Sequence, residues 1–400
     1  MNLPAPSLTL NRWTVRSARG CLKTAIRQLS RATGLLNPRA ERTAHLMLVS
    51  AVLILGLTAS APPALAATAE IKPAIIARYV AVDNVCAWPN LTLLRDGTIA
   101  AIIHNQPSHS RLPGDIDCQI SPDGVFWKKR GSPAPNDPET VRMNVAAGLA
   151  GNGDLVVICS GWERKPGQSG GKIIPGWVSR SADGGKTWTL IKSFPEPEPG
   201  WTHFVPFGPI LAGADGRLHA TCYARGLKDT AARHVWHFSS NDDGRTWQRG
   251  AVIGPNHNET SIFHVGAKRW LAAARTNPLY RMELFRSDDD GATWQGGTPI
   301  TETRELNAHL LRLKDGRILL SYGKRLEGQS GVLAKFSRDD GATWSAPVRL
   351  MHSTAMDCGY PSSVQRADGK IVTAYYSQAV ENHERYHMGV AIWDAPPTGR

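Results

Sequence analysis

Three arginines each close a strand-like run: Arg225 in "CYAR", Arg275 in "AAAR" and Arg325 in "YGKR". Each run follows a Gly-containing turn, centred near positions 215.5, 267 and 315.5 respectively. In an antiparallel hairpin, residues equidistant from the turn centre stand at one height. That sets Glu259 level with Arg275, Leu306 and Asn307 with Arg325, and Pro206 with Arg225. About a further turn near 368.5, Tyr360 stands level with Ser377. All of these lie at the hairpin end away from the turn, where strand entry and exit meet one rim. Guanidinium forks pair bidentately with carboxylates. Three of them at equivalent heights, beside an acid and a phenol, suit an anion-binding cluster.

Residues so far apart in the chain need a repeating scaffold to bring them together. One phrase recurs four times, as "SADGGKTW" (181–188), "SNDDGRTW" (240–247), "SDDDGATW" (287–294) and "SRDDGATW" (337–344). A copy one residue short, "SPDGVFW", stands at 121–127. The intervals of 59, 47 and 50 residues between the four full copies point to a propeller, solenoid or array. Between the phrases, β-rich runs flank turns such as "LRDGT", "GNGD", "ADGR", "LKDGR" and "ADGK". Asp-Gly and Gly-containing links are favoured hairpin connections, because primed turns need φ > 0. Six such hairpins without helical periodicity predict an all-β chain, a six-bladed β-propeller of four-stranded antiparallel blades. "AIIARYVAVD" (74–83) is the candidate outer strand of the last blade. Within the phrase, the Asp accepts backbone N–H groups of its own turn, Gly takes a conformation others resist, and Trp plugs the space between blades. The phrase joins strands three and four, on the face opposite the mouth.

The phrase Ser-x-Asp-x-Gly-x-Thr-Trp resembles the Asp box of the sialidase (neuraminidase) superfamily, over roughly residues 85–395. Asp boxes also occur in non-enzymatic propellers, so the phrase speaks more for fold than for chemistry. "NETSIFHVGAKRWLAAAR" is similar to the sialidase stretch in which Asn-Glu opens one strand and Arg closes the next. The resemblance implies Glu259 as the group that activates the nucleophile and Arg275 as a member of a carboxylate-binding triad. "YGKR" resembles the site of another triad arginine, Arg325, and "DCGYPSSVQRADGKIVTAYY" the segment of the nucleophilic tyrosine, Tyr360. A carboxylate nucleophile would repel a substrate carboxylate at the anomeric carbon. A phenol does not, but its pKa of about 10 calls for a base; sialidases are the tyrosine exception among glycosidases.

The sequence departs from that pattern in its first blade, where Ala87 and Trp88 of "CAWPNLTLL" stand in place of an Arg-Ile-Pro. Arg225 is a candidate replacement for the missing arginine; His104, Gln106, His109 and Arg111 of "HNQPSHSRLPGDID" are others. The family's acid/base Asp belongs to this loop, with Asp115 the first choice and Asp117 and His109 the alternatives. The resemblance thus implies an exo-acting, retaining hydrolase that removes a terminal acidic sugar, foremost an α-linked sialic acid from a sialoglycoconjugate. Two rivals are another acidic-glycan enzyme, directed at a uronate or keto-deoxy acid as hydrolase or lyase, and a non-catalytic carbohydrate-binding propeller.

The bulk properties set limits around this reading. Residues 1–45 hold eight Lys/Arg and one acid, and are followed by "LMLVSAVLILGLTAS" and the small-residue site Ala64-x-Ala66. That order is a secretory signal, so residues 1–66 are expected to be a leader cleaved near Ala66 and 67–400 a single exported propeller. The apolar run falls short of the roughly 20 residues that span a bilayer; an uncleaved leader would be the one link to a membrane. The leader carries seven of the twelve net positive charges, leaving about +5 for the rest. A mild positive balance without a basic-aromatic stripe suits an anionic ligand and not nucleic acid. Five cysteines follow the leader, so at least one is unpaired; Cys118, Cys159 and Cys222 read as small core residues. No CxxC or HExxH spacing occurs, and neither metal nor cofactor is expected.

Overall fold

The six Gly-containing turns close hairpins, and the regular elements among the described residues are all β-strands. The computed structural model describes residues 74–109, 113–163, 171–277 and 279–397. Residues 1–66, expected to be a leader, and Arg111 lie outside these. Strand β1 (Ala74–Asp83) precedes a four-stranded sheet of β2–β5 (Asn90–Leu93, Ile99–His104, Ile116–Ser121, Lys128–Ala134). An eight-stranded sheet joins β6–β9 (Thr140–Leu149, Leu155–Glu163, Lys172–Ser181, Thr189–Ile191) to β10–β13 (Val205–Ala212, Leu218–Arg225, Arg233–Ser240, Gln248–Pro255). Two further four-stranded sheets are β14–β17 (His257–Gly266, Arg269–Thr276, Met282–Ser287, Gln295–Pro299) and β18–β21 (Glu305–Arg312, Ile318–Lys324, Gly331–Ser337, Val348–His352). The last sheet contains β22 (Cys358–Gln365), β23 (Ile371–Ser377) and β24 (His387–Asp394), with β1 paired antiparallel along the outer edge of β24. The expected borrowing of 74–83 by the final sheet is what the strand order has.

Separate four-stranded sheets throughout were expected, and here the sequence reading needs correction. β6 and β10 pair in parallel, Gly208 with Ala146 and Ile210 with Gly148, which merges two antiparallel meanders into one sheet. Gly148 permits this, because a Cβ there would collide with the Ile210 carbonyl. The other first strands approach without forming such ladders. They touch in the order β2, β6, β10, β14, β18, β22, and β22 touches β2 again.

The core is divided among the gaps between neighbouring meanders. Six apolar clusters fill them, one joining Ile99 and Leu91 to Tyr376 and Val390, the first sheet to the last. The five cysteines of the described residues are buried and unpaired, Cys118 and Cys159 in one cluster and Cys222 in another.

The repeated phrase folds the same way each time, between the third and fourth strands of a meander. In 337–344, Ser337 donates to Asp339, which accepts the Thr343 N–H at 2.8 Å and the Thr343 hydroxyl at 2.6 Å; Gly341 N–H returns to Ser337 Oγ. The copies at Asp183, Asp242 and Asp289 repeat these bonds. Each box glycine abuts the preceding meander: Gly341 faces Leu284, Gly291 faces His237, Gly244 faces Val156, Gly185 faces Cys118, and Gly124 faces Val372 of the last sheet. A Cβ at these φ > 0 positions would be both strained and obstructed.

Candidate active site

Bulges aim the site residues. The first strands of three meanders slip register at their upper ends, between His257 and Thr260, Leu306 and His309, and Gly359 and Ser362, and β10 slips within its length, between Phe207 and Leu211. A bulge bends a strand and re-aims a side chain. It also displaces heights counted symmetrically from the turns. Arg325 bonds Arg304 rather than standing level with Leu306 and Asn307, Arg225 bonds Thr202 rather than Pro206, and Cys358 rather than Tyr360 faces Ser377 at the end of β23. Three non-glycine residues at the site hold left-handed backbone: Trp88 (φ 41°), Asn307 (φ 60°) and Tyr360 (φ 49°). For a bulky residue this conformation is costly and persists where the surroundings enforce it.

The bulges bring Tyr360 and Glu259 together. The Tyr360 hydroxyl donates to Glu259 Oε1 at 2.6 Å, while Glu259 Oε2 accepts from Arg275 Nη1 and Asn307 Nδ2. Glu259 and Asn307 are buried, and Tyr360 keeps a partly exposed face. Burial pushes the Glu259 pKa up, but the Arg275 charge and the Tyr360 hydrogen bond outweigh it and hold the carboxyl below its ordinary value. Burial and the neighbouring Glu259 charge raise the Tyr360 phenol well above its own. The pair therefore rests as phenol and carboxylate.

Behind Tyr360 lies a second polar cluster centred on Asp357. Arg325 Nη2 stands 3.2 Å from Asp357 Oδ1 and also donates to the Tyr376 hydroxyl, and Arg325 Nε donates to the Cys358 carbonyl at 2.8 Å. Asp357 accepts further bonds from Tyr376, Tyr386 and His109 Nε2, each at 2.5 Å. Burial would raise its pKa, yet the His109 bond and the Arg325 charge hold it far below the carboxylate range. The close approach of β22 to β19 that seats Arg325 depends on two glycines. A Cβ on Gly323 would lie 2.9 Å from Gly359 Cα.

A cavity opens over Glu259 and Tyr360, walled by Trp88, His109, Asn144, Trp162, Phe207, Tyr223 and Arg225 among others. Where the resemblance calls for an arginine, Ala87 is fully buried and Trp88 swings over it, its indole stacked on His104 at 5.4 Å and edge-on to His109 at 5.0 Å. Arg225 lines the cavity with its guanidinium 5.3 Å over the Trp162 ring. Arg275 and Arg325 stand behind the cavity wall, each facing an internal carboxylate.

Asp115 and Asp117 do not line this cavity. Asp115 accepts the Asn136 backbone N–H at 2.7 Å, tying the loop after β5, and Asp117 is buried between Ser132 and Lys129. Of the three proton-donor candidates, only His109 is at the cavity. Sequence reasoning passed over Asp357, Tyr376 and Tyr386, and gave Asn307 no role. "MDCGYP" placed Asp357 three residues before Tyr360, which was the one available signal. Among the described residues no group of three or more His, Cys, Asp or Glu could hold a metal ion, and no helix is long and apolar enough to cross a membrane.

Comparison with curated proteins finds no match. Among solved structures, a protein of unknown function from Dyadobacter fermentans superposes with a TM-score of 0.70 at 21% identity, covering 80% of this chain and 99% of that one. The Hadza microbial sialidase Hz136 follows at 0.59 and 18%, covering 78% and 68%. Trypanosoma rangeli sialidase in complex with sialic acid gives 0.59 and 14%, covering 81% of this chain and 58% of that one, so the chain spans less than two thirds of that relative. At these identities the likeness establishes the fold. The model of the BNR repeat-like domain matches residues 135–373, more than half of the chain. With its Asp-box turns and all-β sheets, the chain belongs to the BNR repeat-like family.

Proposed function

We propose that the chain is an exported six-bladed propeller that hydrolyses a terminal acidic sugar with retention, through Tyr360 as nucleophile and Glu259 as its base. The hydrogen bond of 2.6 Å between them carries the reading. The cyclic contact of first strands and the seating of the 121–127 box against the last sheet support the closed ring. Because the phenol is held neutral at rest, its proton passes to Glu259 only as the anomeric carbon develops positive charge. Tyr360 Oη bonds that carbon while the glycosidic bond breaks. Asn307 and Arg275 hold Glu259 in place for the transfer. Protonation of the leaving oxygen, and later activation of water, falls to the loop that carries His109 and Asp115, with His109 at the cavity.

The solved sialidases of similar fold make an α-linked sialic acid the first substrate to try, with Arg275, Arg325 and Arg225 as its carboxylate contacts and His109 at the cavity. A second reading, a uronate-directed hydrolase or lyase, is favoured by the internal carboxylates that face Arg275 and Arg325. Release of a fluorophore from an α-sialoside and from a uronate-capped oligosaccharide separates the two, with Tyr360→Phe as control. Turnover undiminished in Tyr360→Phe rejects the nucleophile; an unsaturated product identifies a lyase, and binding without release a lectin-like propeller. Residues 1–66 would be removed on export, and N-terminal sequencing of the exported protein should begin at Ala67.

A further inference from the structure

The cavity has two electrostatically different walls. On the Tyr360 side, Arg275 faces Glu259 and Arg325 faces Asp357. Across from it, Arg225 lines the cavity and, among the described residues, has no carboxylate within ion-pair distance. Its Nε is buried without an acceptor. Arg233 stands directly opposite on β12, and its buried Nε also lacks an acceptor. Directly opposed residues of an antiparallel pair project to the same face of the sheet; of the two, Arg225 is the one that lines the cavity. Stacking on Trp162 fixes the Arg225 fork, and the Tyr223 ring stands beside it in the cavity.

Arg225 belongs to the β10–β13 meander and Tyr360 to the β22–β24 sheet. In the contact cycle of first strands, β10 and β22 are three steps apart in either direction, so the two residues approach the cavity from opposite walls. This bears on the class of sugar, and the argument rests on the proposed reading that the anomeric carbon faces Tyr360. A carboxylate borne on the anomeric carbon would lie at the Tyr360 wall, where both arginines already face internal carboxylates. A carboxylate on carbon 5 of a hexopyranose lies across the ring from the bond to be cleaved. We propose that the acidic sugar is a hexuronic acid, its carboxylate taken by Arg225 on the Trp162 platform.

The test is binding of free sugars to the intact chain by isothermal titration calorimetry. Glucuronic acid, galacturonic acid, N-acetylneuraminic acid and glucose would be compared for wild type, Arg225→Gln, Arg225→Lys and Arg325→Gln. A hexuronic acid should bind at least tenfold more tightly than glucose. Arg225→Gln should remove that preference and leave glucose binding unchanged, with Arg225→Lys intermediate because a point charge replaces a fork. Thermal unfolding establishes that each variant is folded. Tighter binding of N-acetylneuraminic acid, lost in Arg325→Gln and kept in Arg225→Gln, overturns the proposal, as does failure of any hexuronic acid to bind. Hexuronate binding without turnover of any aryl glycoside would instead refute the hydrolase reading and leave the assignment of Arg225 standing.

Discussion

Arg325 Nη2 lies 3.2 Å from Asp357 Oδ1, so a guanidinium that the sequence assigned to substrate is matched by the protein's own carboxylate. Asp357→Asn should leave that cation unmatched and lower stability by roughly 2 kcal/mol at neutral pH, less than for a fully buried pair because both groups keep some solvent contact. The folded pKa of Asp357 is depressed. Its contribution is therefore complete above about pH 4, the unfolded value, and is lost as pH falls further. Urea unfolding of wild type and variant should converge toward pH 2. A constant gap across that range would refute the ion-pair account.

Glu259→Gln removes the base while keeping the side chain's size, and kcat should fall by about 10²–10⁴. Because Glu259 titrates below its ordinary range, the wild-type kcat/KM should hold level on the acid side down to about pH 4. An acid limb centred near neutrality would point to a different base.

Asn307 tests how that carboxylate is held. Asn307→Gly keeps the left-handed backbone at φ 60° but deletes the donor to Glu259. The acid limb of kcat/KM should move to higher pH while the fold is retained. Asn307→Ala deletes the same bond and adds backbone strain, so it should also lower the melting temperature relative to Asn307→Gly. Equal pH profiles for wild type and Asn307→Gly would show the amide to be only structural.

Buried histidines should make the protein acid-labile well above the carboxylate range. Burial lowers His104 and His309 to about 4 and His237 to about 3. The unfolded chain protonates these rings near pH 6.5 while the folded chain resists, so stability should decline as pH falls from about 6.5 toward 4. Differential scanning calorimetry would register this as a falling melting temperature. His237→Gln, which removes the ring bonded to His219 at 2.8 Å, should reduce the slope; an unchanged slope would show that His237 stays accessible to protons.

Much of the scaffold was legible because its signals are local. A Ser, an Asp and a Thr at fixed offsets close the same turn wherever they occur, as the shared bonds of Asp183, Asp242, Asp289 and Asp339 demonstrate. Turn chemistry and strand periodicity fixed the hairpins, and the stretch 74–83 had no partner left but the final sheet. The level of Glu259 with Arg275 was likewise readable, since one hairpin holds both.

The rest was decided between elements that are distant in sequence. The loop candidates Asp115 and Asp117 have the right residue type, but local geometry turns one to the Asn136 backbone and the other to Ser132 and Lys129. Asp357 carries no motif, and its importance arises only where Arg325, Tyr376, Tyr386 and His109 converge on it.

By itself, the sequence determined an all-β repeat with an acid, a phenol and arginines at strand ends, because turn residues and alternation act over a few positions. Tertiary structure alone decided which cations remain unmatched, because an ion pair depends on through-space distance and on bulges that a symmetric count from the turn does not register. It also merged two meanders through a glycine that let β6 and β10 close to hydrogen-bonding range.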